Sequence, residues 1–283
     1  MFHIGALMIF PLVGISTKNI VLTRVLPFDT HFYYLMGLNE EIISKNIPER
    51  RTLLAVGREA LTQTDIIRDD YENEWETNKI YYENAEKAFK IIYDKNKIEF
   101  LNFKDLIKET KYIFCNTQLE LDFKEIEEIF STEENLKDKV KFIGGIIATE
   151  PEPIKPETEE LLELAKISTD KEFKDNELTK AVITHCGINS LLEGVYFQIP
   201  MVCIPNNSDQ PYNAYAAELR GYVEEVDFRD ENLEENLKNA LEKVLNYEDW
   251  KKDFESNTNK LKERMNKSKG EFIQAMKEMI GNQ

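Results

Sequence analysis

The stretch Thr184 to Gln210, THCGINSLLEGVYFQIPMVCIPNNSDQ, constrains the fold more than any other part of the chain. An apolar run, Ala181-Val182-Ile183, leads into it and reads as a buried parallel strand. The run breaks at Thr184-His185-Cys186-Gly187, and a helix is expected from about Asn189-Ser190, both good capping residues. Leu191, Leu192 and Val195 supply its apolar side, and a second apolar strand, Met201 to Ile204, follows Pro200. Strand, tight turn, helix, strand is one βαβ unit.

Such a unit offers a ligand site at a predictable place. Gly187 lets the backbone approach a ligand closely. Free N–H groups at the helix start, with the helix dipole, favour an anion. His185 falls at the carboxyl end of the strand, where open α/β sheets bind ligands. Asn189 and Glu193 are four apart and lie on one helix face, so the Glu193 carboxylate suits sugar hydroxyls one turn behind a phosphate. Asp209-Gln210 end the loop after the next strand, at the same sheet edge, where they could bond a second sugar. The residues thus describe a site for a nucleoside diphosphate carrying a sugar. Spacing alone does not separate it from the many strand-turn-helix units that bind nothing.

HCGINSLLEG followed by IPMVCIPNNSDQPYNA resembles the donor-binding signature of the UDP-glycosyltransferases. The resemblance implies that Thr184 belongs to the donor site, that His185 contacts the donor phosphate and that Gly187, Asn189 and Ser190 hold the diphosphate. It implies Glu193 on the ribose and Asp209 and Gln210 on the transferred sugar. It also implies an α/β fold of the GT-B type, with two Rossmann-like domains facing across a cleft. The donor would lie on the C-terminal domain and the acceptor on the N-terminal one.

Earlier in the chain, Asn19 to Leu26 reads as a first strand, with a turn at Pro27-Phe28-Asp29-Thr30-His31 and a helix over Phe32 to Ile43. His31 therefore opens a helix at a strand end, where it could serve as a general base or simply cap the helix and pack in the turn. LPFDTHFYYLMGL is similar to the family's first strand-turn-helix, which implies that His31 deprotonates the acceptor hydroxyl. The family's partner Asp for that His has no matching context here, and Asp65, Asp69 and Asp70 are unassigned.

Thr52 to Val56 reads as a second strand, Trp75 to Tyr93 as an amphipathic helix, and Tyr112 to Asn116 as another strand. LELDF and VKFIGGI also resemble the end of the family's N-terminal domain, with Gly144-Gly145 as a turn. ATEPEPIKPETEE, at 148–160, is rich in Pro and Glu and reads as a linker, with a helix beginning at Leu161 to Ala165. The expected organisation is therefore an N-terminal segment 1–17, an acceptor-side domain 18–147, a linker 148–165 and a UDP-sugar domain 166–283. Both domains are shortened relative to the family. Between Ile167 and Lys180 there is no room for the family's first strands and base-stacking Trp motif, and a second block is missing around 95–101. Trp75 and Trp250 lie in charged helices instead. Past Gln210, helices are expected over Pro211 to Leu219, Glu231 to Leu245, Trp250 to Met265 and Phe272 to Ile280, with a short strand at Tyr222 to Val226.

Residues 1–17 are apolar and carry no Lys or Arg. The run Ile4 to Ile15 is shorter than the ~20 residues that span a bilayer. It fits a signal-peptide core and equally a buried strand or helix. The family resemblance favours a signal, which implies the secretory pathway or endoplasmic reticulum lumen; without one the chain would be cytoplasmic. No C-terminal membrane anchor is expected.

The net charge of −17 argues against nucleic acid or an anionic membrane as partner. Cys115, Cys186 and Cys203 have no metal spacing, so no metal is expected, and Cys186 and Cys203 are expected as packed thiols. No cofactor is implied beyond the UDP-sugar donor. The resemblance implies hexosyl transfer, of glucose or glucuronic acid, to a small lipophilic acceptor. The alternative is a non-catalytic member that binds UDP weakly or pairs, as a homo- or hetero-oligomer, with full-length relatives. An unrelated Rossmann binder would need a GxGxxG turn, and there is none.

Overall fold

The computed structural model describes residues 7–24, 28, 30–46, 64–146 and 179–281. The strand expected at Thr52–Val56, the linker 148–160 and the helix at Leu161–Ala165 lie outside them. Two parallel three-stranded sheets carry the fold. In the first, β1 (Val21–Arg24), β2 (Tyr112–Cys115) and β3 (Val140–Phe142) follow one another in order. The second has β4 (Val182–Thr184), β5 (Met201–Cys203) and β6 (Val223–Glu225), again in order. Parallel neighbours need crossovers, and helices supply them.

At the N-terminus, α1 (Ile9–Leu12) packs into the first core through the residues that precede it. Leu7 and Met8 are fully buried, and the Tyr93 hydroxyl donates to the Met8 carbonyl at 2.8 Å. The Thr17 hydroxyl donates to the Glu109 carboxylate. The buried residues of this segment, Leu7 and Met8, precede the helix, and none of the residues of α1 itself is buried.

The single helix expected over Phe32 to Ile43 is two: α2 (Thr30–Leu35) and α3 (Glu40–Asn46). Gly37, at φ +107°, takes a backbone conformation that ends the first. Asn39 starts the second by accepting from the Glu41 amide at 2.7 Å. Next come α4 (Thr64–Asn96), longer than its predicted span, and α5 (Phe103–Glu109). Asn102 caps α5 by accepting from the Asp105 amide at 2.9 Å, and Glu86 of α4 accepts from the Phe103 amide at 2.7 Å. Leu106 and Ile107 are thereby pressed into the core. α6 (Lys124–Thr132) and α7 (Glu134–Lys139) precede β3, and a turn through Gly144 and Gly145 follows it, as expected.

Around the second sheet lie α8 (Ile188–Tyr196), α9 (Gln210–Leu219), α10 (Leu233–Asn246) and α11 (Glu248–Gly281). Leu191, Leu192 and Val195 of α8 form one core with Met201, Val223 and Leu261. Each such side chain contributes about 1.5–3 kcal/mol by leaving water. Val202 and Val226 meet Ala240 and Val244 of α10 on the other side. The central strand β5 is thus buried on both faces, whereas β4, expected as a buried strand, is half-buried with Ile183 exposed.

α9 joins the halves. Tyr212 and Ala216 belong to the first core, while Ala214 and Ala217 belong to the second. The Tyr212 hydroxyl donates to Asp122 at 2.6 Å, and Arg220 donates to the Asp122 carbonyl at 2.8 Å and pairs with Glu127 at 2.5 Å. α11 is continuous where two helices were expected. Its first part packs in the second core through Leu261 and Met265; its last part reaches the first sheet, where Phe272 stands 5.0 Å from Phe114 and Glu278 accepts from the Tyr112 hydroxyl at 2.5 Å. Contacts on both sides carry the helix through Gly270, whose side of the helix faces open space. Among the described residues, no helix is long and apolar enough to cross a membrane.

Candidate functional site

α8 starts at Ile188, with Gly187 as its N-cap and no side chain bonded to its first turn. Its first N–H groups therefore point out of the helix end without an intrahelical partner. With the aligned peptide dipoles, they make the helix start attractive to an anion. The His185 imidazole lies over this same turn. A Cβ built on Gly187 would stand 2.9 Å from its Nε2, so a side chain there would push the ring away. His185 itself is exposed at the carboxyl end of β4.

Beside this opening, a cavity of about 440 Å³ lies between β4 and α8. Thr184 and His185 line it from the strand end, and Ser190 and Glu193 from the helix. Val182, Phe197, Ile199 and Met201 make its apolar wall. Four of the predicted donor residues are thus brought together around one volume. Hydroxyls, an imidazole and a carboxylate thus share its lining with hydrocarbon side chains.

The other four do not line that cavity. Gly187 forms the turn. Asn189 faces the first sheet, where the Asn116 Nδ2 donates to its Oδ1 at 2.9 Å. The spacing of Asn189 and Glu193 puts them on one side of α8, but the cavity takes its contacts from Ser190, Glu193, Gly194 and Phe197, one step round the helix. Asp209 is buried and accepts from the Asn213 amide at 2.6 Å; that same amide reaches the Cys186 carbonyl at 3.4 Å. Gln210 accepts from the amides of Asn206 and Asn207 at 3.0 and 3.1 Å, closing its own loop. Asp209 and Gln210 therefore shape the loop beside the turn.

Cys186 and Cys203, expected as packed thiols, form a disulfide with Cα atoms 5.5 Å apart. Thr184 is the register partner of Cys203. Cys186 lies two residues further on, at φ +58°, where the backbone curls over the end of β5. The bond ties the His185 turn to the neighbouring strand. Sequence spacing gave no sign of it, because the pairing depends on strand register. Asn213 was also missed; its position four residues after Asp209 on one helix was the available signal.

His31 is in the first turn of α2 and only 4% exposed. Its ring stands 4.9 Å from Trp75 and 4.9 Å from Tyr82, with Tyr34 at 5.5 Å. It opens the helix as expected, and aromatic rings from α4 cover it; most of the turn expected before it lies outside the described residues. Asp65, Asp69 and Asp70 fall within α4, in the part whose side chains are not described.

The sequence model of the family described as UDP-glucoronosyl and UDP-glucosyl transferase matches residues 173–262, which include every residue from Thr184 to Gln210. UDP-glucuronosyltransferase 2B33 of Macaca mulatta is 44% identical over 68 residues, 24% of this chain and 13% of that protein. Flavonol 3-O-glucosyltransferase of Arabidopsis thaliana is 36% identical over 92 residues, 32% of this chain and 20% of that protein. The alignments thus span a fifth or less of these relatives. Among solved structures, Os79 from O. sativa in complex with UDP aligns over 96% of this chain and 75% of its own, with a TM-score of 0.50 at 15% identity. That likeness concerns the fold, two parallel α/β units of the GT-B type.

Proposed function

We propose that this chain, a member of the UDP-glycosyltransferase family by its segment 173–262, binds a UDP-sugar at the start of α8 and transfers its hexosyl group to a small lipophilic acceptor. The observation that carries the reading is the uncapped helix start beneath His185, opening beside the cavity of Ser190 and Glu193. A diphosphate meets N–H groups and the imidazole there. The Glu193 carboxylate accepts from ribose hydroxyls, and a net charge of −17 makes such a local donor cluster necessary for an anion. Asp209 and Gln210 take part in sugar binding by exchanging their bonds to Asn213 and the loop amides for bonds to sugar hydroxyls.

In the transfer, the acceptor oxygen attacks the anomeric carbon while the bond from that carbon to the phosphate oxygen breaks. UDP leaves with the bonding electrons, and the configuration inverts. The acceptor proton passes to His31. That step requires the acceptor to part the rings of Trp75 and Tyr82, which cover the imidazole.

The same burial favours a second reading, in which the chain holds the donor and does not transfer it, acting with a full-length relative. An assay of UDP release from UDP-glucose and UDP-glucuronic acid, with and without phenolic acceptors, separates the two. Transfer predicts acceptor-dependent release that falls by about 10²–10⁴ in His31→Ala, the usual worth of a general base, with UDP affinity retained. Release unchanged in His31→Ala removes that residue from the mechanism. UDP binding without acceptor-dependent release supports the second reading.

A further inference from the structure

Asn116 follows β2 at its carboxyl end, outside the family-matched segment. Its backbone N–H donates to the Arg24 carbonyl at 2.7 Å, so the residue is fixed by the pairing of the first sheet. The next residue is fixed too: the Gly144 amide donates to the Thr117 carbonyl at 3.0 Å. A Cβ on Gly144 would stand 2.7 Å from Thr117 and 2.9 Å from the Leu192 side chain. The loop therefore packs directly against α8 and holds its side chains at a set distance from the helix start.

From that fixed place, the Asn116 Nδ2 donates to Oδ1 of Asn189 at 2.9 Å. A carboxamide has an acceptor end and a donor end. With its oxygen engaged by Asn116, Asn189 keeps its NH₂ for the open side of the turn. In the reverse sense its oxygen would meet an anion and repel it. We infer that Asn116 is a positioning residue of the donor site, setting the Asn189 amide with its N–H groups toward the diphosphate. The inference rests on the donor-site reading above. It makes phosphate binding on the second sheet depend on a side chain of the first.

The test is titration of UDP and of uridine, which has no phosphate, into the full chain and its Asn116→Ala and Asn116→Asp variants, each checked by thermal melting. Asn116 is half-buried, and neither replacement is larger than the side chain it removes. In Asn116→Ala the Asn189 amide is free to turn, and UDP affinity falls about tenfold, the size of one lost oriented hydrogen bond. In Asn116→Asp the new carboxylate takes the NH₂ of Asn189, turns its oxygen outward and adds a negative charge, so the loss reaches about a hundredfold. Uridine affinity stays the same in all three. Equal UDP affinity across the three proteins overturns the inference and leaves the donor site standing. Parallel losses for UDP and uridine overturn it as well, since they mark a general loosening of the site. Failure of the unaltered chain to bind UDP overturns the donor-site reading itself.

Discussion

Asp122 is buried where the two halves meet, and burial pushes its carboxyl up to about 6, against the opposing pull of the Tyr212 hydroxyl, the Phe123 amide and Arg220. Other charged groups near this junction are Glu127, paired to Arg220, and Glu120 and Arg24, which act on the neighbouring Tyr222 and Cys115. An unfolded Asp titrates near about 4. Between those two values the folded chain holds the proton more tightly than the unfolded chain, so stability falls as pH rises through the window. Asp122→Asn keeps an oxygen for Tyr212 and the Phe123 amide and removes the charge. The expected outcome is a flatter stability profile between about pH 4 and 6, and about 2–3 kcal/mol of added stability at pH 7. Urea unfolding across pH measures it. A large loss at pH 7 would show instead that the carboxylate beside Arg220 holds the halves together. Residues differ in how legible they are. Thr184, His185, Ser190 and Glu193 were readable because one strand end and one helix turn place them. His31 was readable as the opening of a helix, but its cover was not: Trp75 and Tyr82 reach it from a helix distant in sequence.

At the scale of elements, Leu7 and Met8, just before α1, act as core. Leu7 and Met8 are buried, while Ile9 and Val13 on the same segment are exposed. Leu7→Ala and Met8→Ala should each cost about 2–5 kcal/mol of stability, and Ile9→Ala and Val13→Ala should cost little. Urea denaturation compares them. A chain shortened by residues 1–17 that melts at the temperature of the whole would contradict this account of the segment. Strands β1, β2 and β4 to β6 fall within their expected spans to a residue or two, because short apolar runs bounded by turns have few other uses. Helix boundaries were less legible. The break between α2 and α3 depends on Gly37 and the Asn39 cap, while the continuity of α11 depends on Gln118, which donates to Ser268 at 3.1 Å, and on Phe114, 5.0 Å from Phe272. Local propensity weighs such tertiary contacts at nothing.

For the whole molecule, the parallel α/β architecture and the strand-turn-helix at Thr184–Ser190 were both present in the sequence, since βαβ units announce themselves by order and spacing. The docking of the halves was not. It runs through α9, α11 and the Asn116–Asn189 contact, and none of these leaves a periodic trace. The central claim is that the second sheet still presents a working donor site when tied to the first in this way. Calorimetric titration of the intact chain with UDP, beside a thermal melt, tests it most directly. Saturable binding, abolished in His185→Ala, is the expected result. At a hundred times the dissociation constant UDP should also add about 2.7 kcal/mol of stability, seen as a raised melting temperature. A cooperative melt that UDP does not move, with no heat of binding, would contradict the account.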